Sequence, residues 1–348
     1  MQVSAILRII SVFIITFSVL AYNTGSAIIS SAVIEEKTFI GGTSGQDILE
    51  EEKNETIIDK EKKEENVNIE SKNEETASTV VSAEAVKGKI ISKYVSPYST
   101  GISYNNVYVK NSTGLNIDLK SMLESGLGYK IEKGNDPQVL IMHTHTTETF
   151  MSRDSEYYTE TYTSRTTDNS KNMAEIGRIV AEKLNSAGIK TLHDTTQHDY
   201  PQYSGSYTRS AKTVNSYIKK YPSIKIVLDL HRDAISAGGN DKTKLVTEIN
   251  GKKAAQIMLV MGSQSGSVTN FPNWKENLKL ALKLQQTFEV KYPTLARPLS
   301  LMSKNYNQSL TNGSLLIEFG TDANSLDEAK YSAEMVGDCL VTLLNNLG

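Results

Sequence analysis

Two apolar runs in this chain break off at a histidine with a carboxylate close by. The first is Gln138-Val139-Leu140-Ile141-Met142-His143-Thr144-His145-Thr146-Thr147-Glu148, and the second is Ile226-Val227-Leu228-Asp229-Leu230-His231-Arg232-Asp233. Both have the composition of a buried β-strand, and three of the chain's five histidines sit in them. In an open α/β sheet, chemistry collects outside the carboxyl ends of the strands. Imidazoles and carboxylates gathered there are the ligands of a hydrolytic zinc ion, which takes three protein ligands and keeps a position for water. His143, His145, Glu148 and His231 are therefore the candidate metal ligands. One of the two neighbouring histidines is expected to bind metal and the other to lie beside it or against substrate. Asp168 competes with Glu148 for the carboxylate position.

Glu318 interrupts a third apolar run, Leu315-Leu316-Ile317-Glu318-Phe319-Gly320. A carboxylate is costly to bury there unless it is paired or functional. Beside an activated water it would be a general base with a raised pKa. His193 and His198 flank the loop after the next strand and read mainly as loop residues. Tyr203, Tyr207 and Arg209 lie in an aromatic-rich segment suited to a sugar or peptide, and Arg232 joins them as a substrate-binding candidate. No Gly-x-Ser-x-Gly elbow and no Gly-rich phosphate loop occurs in the sequence, which argues against a serine nucleophile and a nucleotide site. The formal charge of -3 gives no reason to expect nucleic acid as a partner. The one cysteine, Cys339, excludes an intrachain disulfide and reads as core packing.

The elements that must position these residues alternate. Val139 to Met142 reads as a strand, followed by a Thr-rich loop to about Thr167. Asp168, Asn169 or Ser170 caps a helix with Met173, Ile176, Val180 and Leu184 on one face, stopping at Gly188. Ile189 to Leu192 is the next strand, Ser206 to Lys220 a helix, and Ile224 to Leu230 a third strand. Lys244 to Ile249 and Ala254 to Met261 flank Asn250-Gly251, a hairpin signal. A helix after Asn273, a strand over Leu315 to Phe319 and a helix from Ser325 to Leu347 complete the chain. This pattern predicts an α/β fold with a mainly parallel mixed sheet and helices on both faces. Ahead of it, residues 1–34 are apolar enough for a transmembrane anchor or signal segment, with Arg8 favouring a cytoplasmic N-terminus. Residues 35–85 are charged and poor in core-forming residues, as expected of a disordered acidic linker. The folded domain is expected over 86–348.

The segments Val139–Glu148, His198–Pro201, Tyr207–Ser210, Asp229–Ala234 and Leu316–Gly320 together resemble the stage II sporulation protein P family of spore-forming bacteria. The resemblance runs from about residue 90 to the end. It implies a membrane-anchored hydrolase of peptidoglycan, an N-acetylmuramoyl-L-alanine amidase that is also an endopeptidase. That activity belongs to engulfment of the forespore, between the two membranes, with a lytic transglycosylase and a further membrane protein as partners. It implies a fold similar to the zinc muramoyl amidases, in which a His after the first strand, a Glu and a later His hold zinc and a Glu in the last strand is the base. His231 and Glu318 map onto that pattern. The first-strand ligand is His143 or His145, and Glu148 or Asp168 must stand in for the Glu ligand. The rival readings are a zinc carboxypeptidase and a non-catalytic wall-binding scaffold.

Overall fold

The computed structural model describes residues 85–99 and 101–347. The anchor expected over 1–34 and, but for Ala85, the linker expected over 35–85 fall outside them. Among the described residues, no helix is long and apolar enough to cross a membrane.

Three strands are buried at every residue: β4 (Val139–Met142), β7 (Ile226–Asp233) and β13 (Gly313–Thr321). Runs of this kind mark strands covered on both faces. They lie side by side in an eight-stranded sheet. Its order is β2 (Ile102–Tyr104), β3 (Val107–Asn111), β12 (Leu299–Met302), β11 (Ile257–Gly262), β13, β7, β4 and β6 (Thr191–His193). Only β2–β3 and β11–β13 pair antiparallel; the other five pairings are parallel. The mainly parallel mixed sheet expected from the sequence is the sheet that forms.

Alternation along β4 divides two cores. Val139 and Ile141 join a large apolar cluster with α1 (Leu119–Glu124), α2 (Met173–Ser186), α4 (Trp274–Lys291) and α5 (Leu326–Asn345). Leu140 and Met142 face the other way, against Val214 and partly buried Tyr217 and Ile218 of α3 (Ser206–Lys220). Helices thus cover both faces. Cys339 is free and buried in the large core.

Local chemistry differs from the expected boundaries in three places. The cap of α2 is Asn172, whose side chain accepts from Ala174 N. Asp168 instead folds an exposed turn, accepting from Ser170 and pairing with Lys171 at 2.7 Å. The strand expected over Ile189 to Leu192 is β6, which begins two residues later. The Asn250-Gly251 turn has positive φ at both residues, as a type I′ hairpin needs. It joins β9 (Asp241–Ile249) to β10 (Lys252–Ala255) only, because Gln256 breaks the second arm. The buried Gln256 amide bonds Val95 N and O and Thr294 O, and β11 then leaves for the large sheet.

A second sheet was not expected. Its order is β10, β9, β1 (Val86–Lys93) and β5 (Tyr157–Thr159), with β8 (Ser236–Gly238) also on β9. It pins the Thr-rich loop to the domain, since β1 pairs with β5 on one side and β9 on the other.

Candidate metal centre

The carboxyl end of β4 lies beside the middle of β7, with Met142 paired to Asp229, and β7 runs on past it to Asp233. After Met142 the chain turns sharply, and Glu148 N bonds back to His145 O at 3.2 Å. A turn of this size brings residues three apart together. It sets His145 and Glu148 on one side, facing His231 of β7. Donor atoms of these three buried residues all lie within 4.8 Å of one another. Nδ1 of His145 is 3.5 Å and Nδ1 of His231 3.6 Å from the Glu148 carboxylate.

The turn is built by its threonines. Thr144 gives both N and Oγ1 to the Asp229 carboxylate, at 2.8 and 2.6 Å. Thr146 Oγ1 donates to Thr196 O, and Thr147 Oγ1 to Asp199 at 2.6 Å. Asp199 also takes Arg165 at 2.7 Å. The outer nitrogens of the two rings are likewise engaged. His145 Nε2 meets Ser206 Oγ at 3.1 Å. His231 Nε2 lies at ion-pair distance, 2.8 Å, from Asp229 Oδ1, without an aligned hydrogen bond. Carboxylate and hydroxyl partners of this kind fix ring orientation in metal sites.

Electrostatics separate the three. Burial lowers the His145 pKa, so its ring is neutral and available as a ligand. Burial works against the charge of Glu148, but the Arg232 guanidinium and the two histidines overcome it and hold the carboxyl well below the usual range. Burial is overcome at His231 too: Asp229 and Glu148 push it up to about 10. Without a metal, Asp229 and Glu148 thus hold His231 itself as the cation between them, a place that a metal ion on its ring would take. Two imidazoles and a carboxylate in reach of one point are the donor set of a hydrolytic zinc site, and the residues fit that ion.

His143 is not in this group. Its Nδ1 bonds Leu230 O at 3.0 Å and its Nε2 faces His193 Nε2 at 2.9 Å, on the side packed against α2. Asp168 is exposed in its own turn. Glu148 is the carboxylate present at the cluster.

Glu318 of β13 is the register partner of His231 on the neighbouring strand, so both side chains stand on one face of the sheet. It is buried, and desolvation with Asp233 nearby raises its pKa well above the carboxylate range, against the pull of Arg297 and His231. Arg297 spans the two acids, with Nη1 3.0 Å from Asp233 and Nη2 3.2 Å from Glu318 Oε2.

The substrate-binding candidates divide. Tyr203 stacks on the His145 ring at 4.6 Å, and Tyr207 meets it edge-on at 5.6 Å, so both wall the centre. Arg209 is spent on the backbone of its own loop, donating to the carbonyls of His198, Ser204 and Gln202. Arg232 is buried, with its guanidinium on Thr149 O and Ser164 O, and its backbone N 3.2 Å from Glu148. Both guanidinium groups are thus engaged with backbone carbonyls. Arg165 and Arg297 went unnoticed in the sequence. The one available signal for Arg297 was a lone cation in an apolar stretch ahead of Pro298.

The sequence matches the stage II sporulation protein P family over residues 27–341, and the chain belongs to that family. A stage II sporulation protein P of Bacillus subtilis (strain 168) is 28% identical over 218 residues. The match takes in 59% of this chain and half the length of that protein. Among solved structures, the N-acetylmuramyl-L-alanine amidase Ami1 of Mycobacterium abscessus aligns at 12% identity over 61% of this chain and 99% of its own, with a TM-score of 0.35. The catalytic domain of the amidase CwlV of Bacillus (Paenibacillus) polymyxa aligns at 10% identity over 60% and 98%, with a TM-score of 0.37.

Proposed function

We propose that this chain is a zinc-dependent peptidoglycan hydrolase of sporulation, an N-acetylmuramoyl-L-alanine amidase with endopeptidase activity, tethered outside the membrane by its N-terminal segment. One observation carries the reading: His145, Glu148 and His231 converge at the carboxyl end of the sheet, with buried Glu318 in register beside them. His145 Nδ1, His231 Nδ1 and a Glu148 oxygen would hold the ion. When bound, zinc polarises a scissile carbonyl and acidifies water.

The remaining work falls to the chain. Arg297 pins Glu318 Oε2, leaving Oε1 to take a proton from the attacking water. Water adds to the carbonyl carbon, the C–N bond breaks, and the same oxygen returns the proton to the departing amine nitrogen. An amidase cut leaves the lactyl carboxylate on the glycan and a free amino terminus on the stem peptide. Tyr203 and Tyr207 shield the His145 ring from bulk water. A lytic transglycosylase and a further membrane protein are the partners this family reading adds, in the space between mother-cell and forespore membranes.

The test is incubation of the full-length chain with purified peptidoglycan, with and without chelator, and mass spectrometry of the fragments. Stem peptides should appear, vanish with chelator and return with zinc. Glu318→Gln should lower turnover by roughly 10²–10⁴-fold while metal content and wall binding persist. Cleavage that ignores chelator would sink the metal reading. A chain that binds wall, is activated by no partner and cuts nothing would be a scaffold.

A further inference from the structure

The segment that follows Glu148 encloses a cleft of about 460 Å³, outside the metal centre but sharing a wall with it. Thr149 lines the cleft and is the next residue after Glu148. The two form adjacent bridges, to Arg165 and Asn172. β5, which pairs with β1, gives Tyr157, Tyr158 and Thr159 to the lining.

The cleft has an unusual chemistry for a chain that carries net negative charge. Serines, threonines and three tyrosines make most of its lining, with Arg153 and Lys171 as the charged groups. No Asp or Glu lines it among the described residues. Of the acids in the same segment, Asp154 goes to Lys244 and Lys253 and Glu160 to Lys87, while Glu156 is exposed and is not part of the lining. Lys171 is neutralised by Asp168 at 2.7 Å. Arg153 has no ion pair or hydrogen bond with any described residue. Tyr157 is 47% exposed and, like Ser152, keeps a side-chain hydroxyl without a partner among the described residues. An uncommitted guanidinium takes a carboxylate through paired hydrogen bonds. Open phenol rings and hydroxyls match the faces and hydroxyls of sugars.

We propose that this cleft is a subsite for a stretch of glycan strand already stripped of its stem peptides, with Arg153 on the lactyl carboxylate that an earlier amidase cut leaves on a neighbouring sugar, Tyr157 against a ring face, and Ser152 on hydroxyls. The assignment rests on the wall-hydrolase reading above and names which arm of the polymer lies on the Thr149 side of Glu148. The stem peptide would then extend from the metal centre away from the cleft.

Calorimetric titration of the zinc-loaded, full-length chain with three probes tests it. The probes are peptide-free glycan strands, free stem peptide and a neutral chitin tetrasaccharide. Glycan strands should bind more tightly than the chitin oligomer. Arg153→Glu should weaken glycan binding by about tenfold or more, the loss of one charge-assisted contact. Tyr157→Ala should weaken it by a smaller factor, with metal content and stem-peptide affinity unchanged in both. Both residues are exposed, so the variants should fold. Glycan affinity indifferent to Arg153→Glu would overturn the subsite, as would a loss confined to the stem peptide. Glycan binding that depends on Arg153 in a chain that never cleaves wall would refute the hydrolase and leave the subsite standing. Metal-dependent cleavage with glycan affinity untouched by either variant would do the reverse.

Discussion

Two histidine pairs flank one turn, and they are nearly the same in shape. His143 and His193 meet edge-on with ring centroids 5.2 Å apart and planes at 81°. His145 and His231 meet edge-on at 5.0 Å, also at 81°. The pairs begin two residues apart in sequence, and His143, His145 and His231 are all buried. Their surroundings make them different objects. Around His143 and His193 desolvation prevails, bringing their pKa values down to about 3 and about 4. That pair is a neutral hydrogen-bonded unit in a packed wall. Around His145 and His231 stand Glu148 and Asp229, and His231 is pushed the other way. Two imidazoles facing each other do not make a metal site. Only the pair with Glu148 beside it has the donor set that would hold an ion.

Substitutions in each group should have opposite effects on metal. Glu148→Ala and His231→Ala should abolish stoichiometric zinc, read by elemental analysis, and with it at least ~100-fold of wall-cleaving activity. His143→Gln should keep the zinc. If His143→Gln loses metal as completely as His231→Ala, the two pairs are one site and the distinction fails. Asp229→Asn comes next. It keeps the shape but withdraws the charge beside His231 and behind Thr144. Zinc affinity, measured by chelator competition, should fall by about 10–100-fold without loss of the fold.

A smaller effect belongs to the neutral pair. Gly177 of α2 leaves room for it: an added Cβ would sit 2.4 Å from His193 Nε2 and 2.6 Å from His143 Nε2. Alanine gains up to ~1 kcal/mol of helix propensity over glycine. The rings cannot retreat, because His143 is tied to Leu230 O and His193 lies in β6. Crowding of this kind costs about 1–3 kcal/mol or more. Gly177→Ala should therefore lower the melting temperature by a few degrees while leaving zinc content alone. A stabilised variant would mean the pair is not packed as described.

The large sheet was legible because its central strands are buried on both faces and read as unbroken apolar runs. The second sheet was not. β1 is Val-Lys-Gly-Lys-Ile-Ile-Ser-Lys, mostly exposed, and its pairing with β9 joins Ile90 to Lys242 across a separation that no local pattern encodes. The candidate metal cluster was half legible. The types His, Glu and His were visible at strand ends, but choosing His145 over His143 needed the turn. That turn is set by Asp229 and Asp199, distant acids reading threonine hydroxyls. Arg297 was hidden for the same reason. Its meaning lies in Asp233 and Glu318, on two other strands.

Glu289, on α4, is buried with its Oε1 unpartnered, and desolvation raises its pKa to about 7. As at His143, burial is the largest cause of the shift. In the unfolded chain the carboxyl releases its proton near 4.5, and in the folded chain near 7. Between those values the folded state binds more protons, so this group makes stability fall as pH rises, and the loss is complete above about 7. Glu289→Gln removes the titration. The variant and the parent should melt together near pH 4.5, and the variant should melt ~2–4 °C higher at pH 8. Following the difference in melting temperature across that range cancels other titrating groups. A difference that stays flat would mean Glu289 has found a partner. Burial alone, which leaves the His143–His193 pair neutral, would then not be what perturbs this acid.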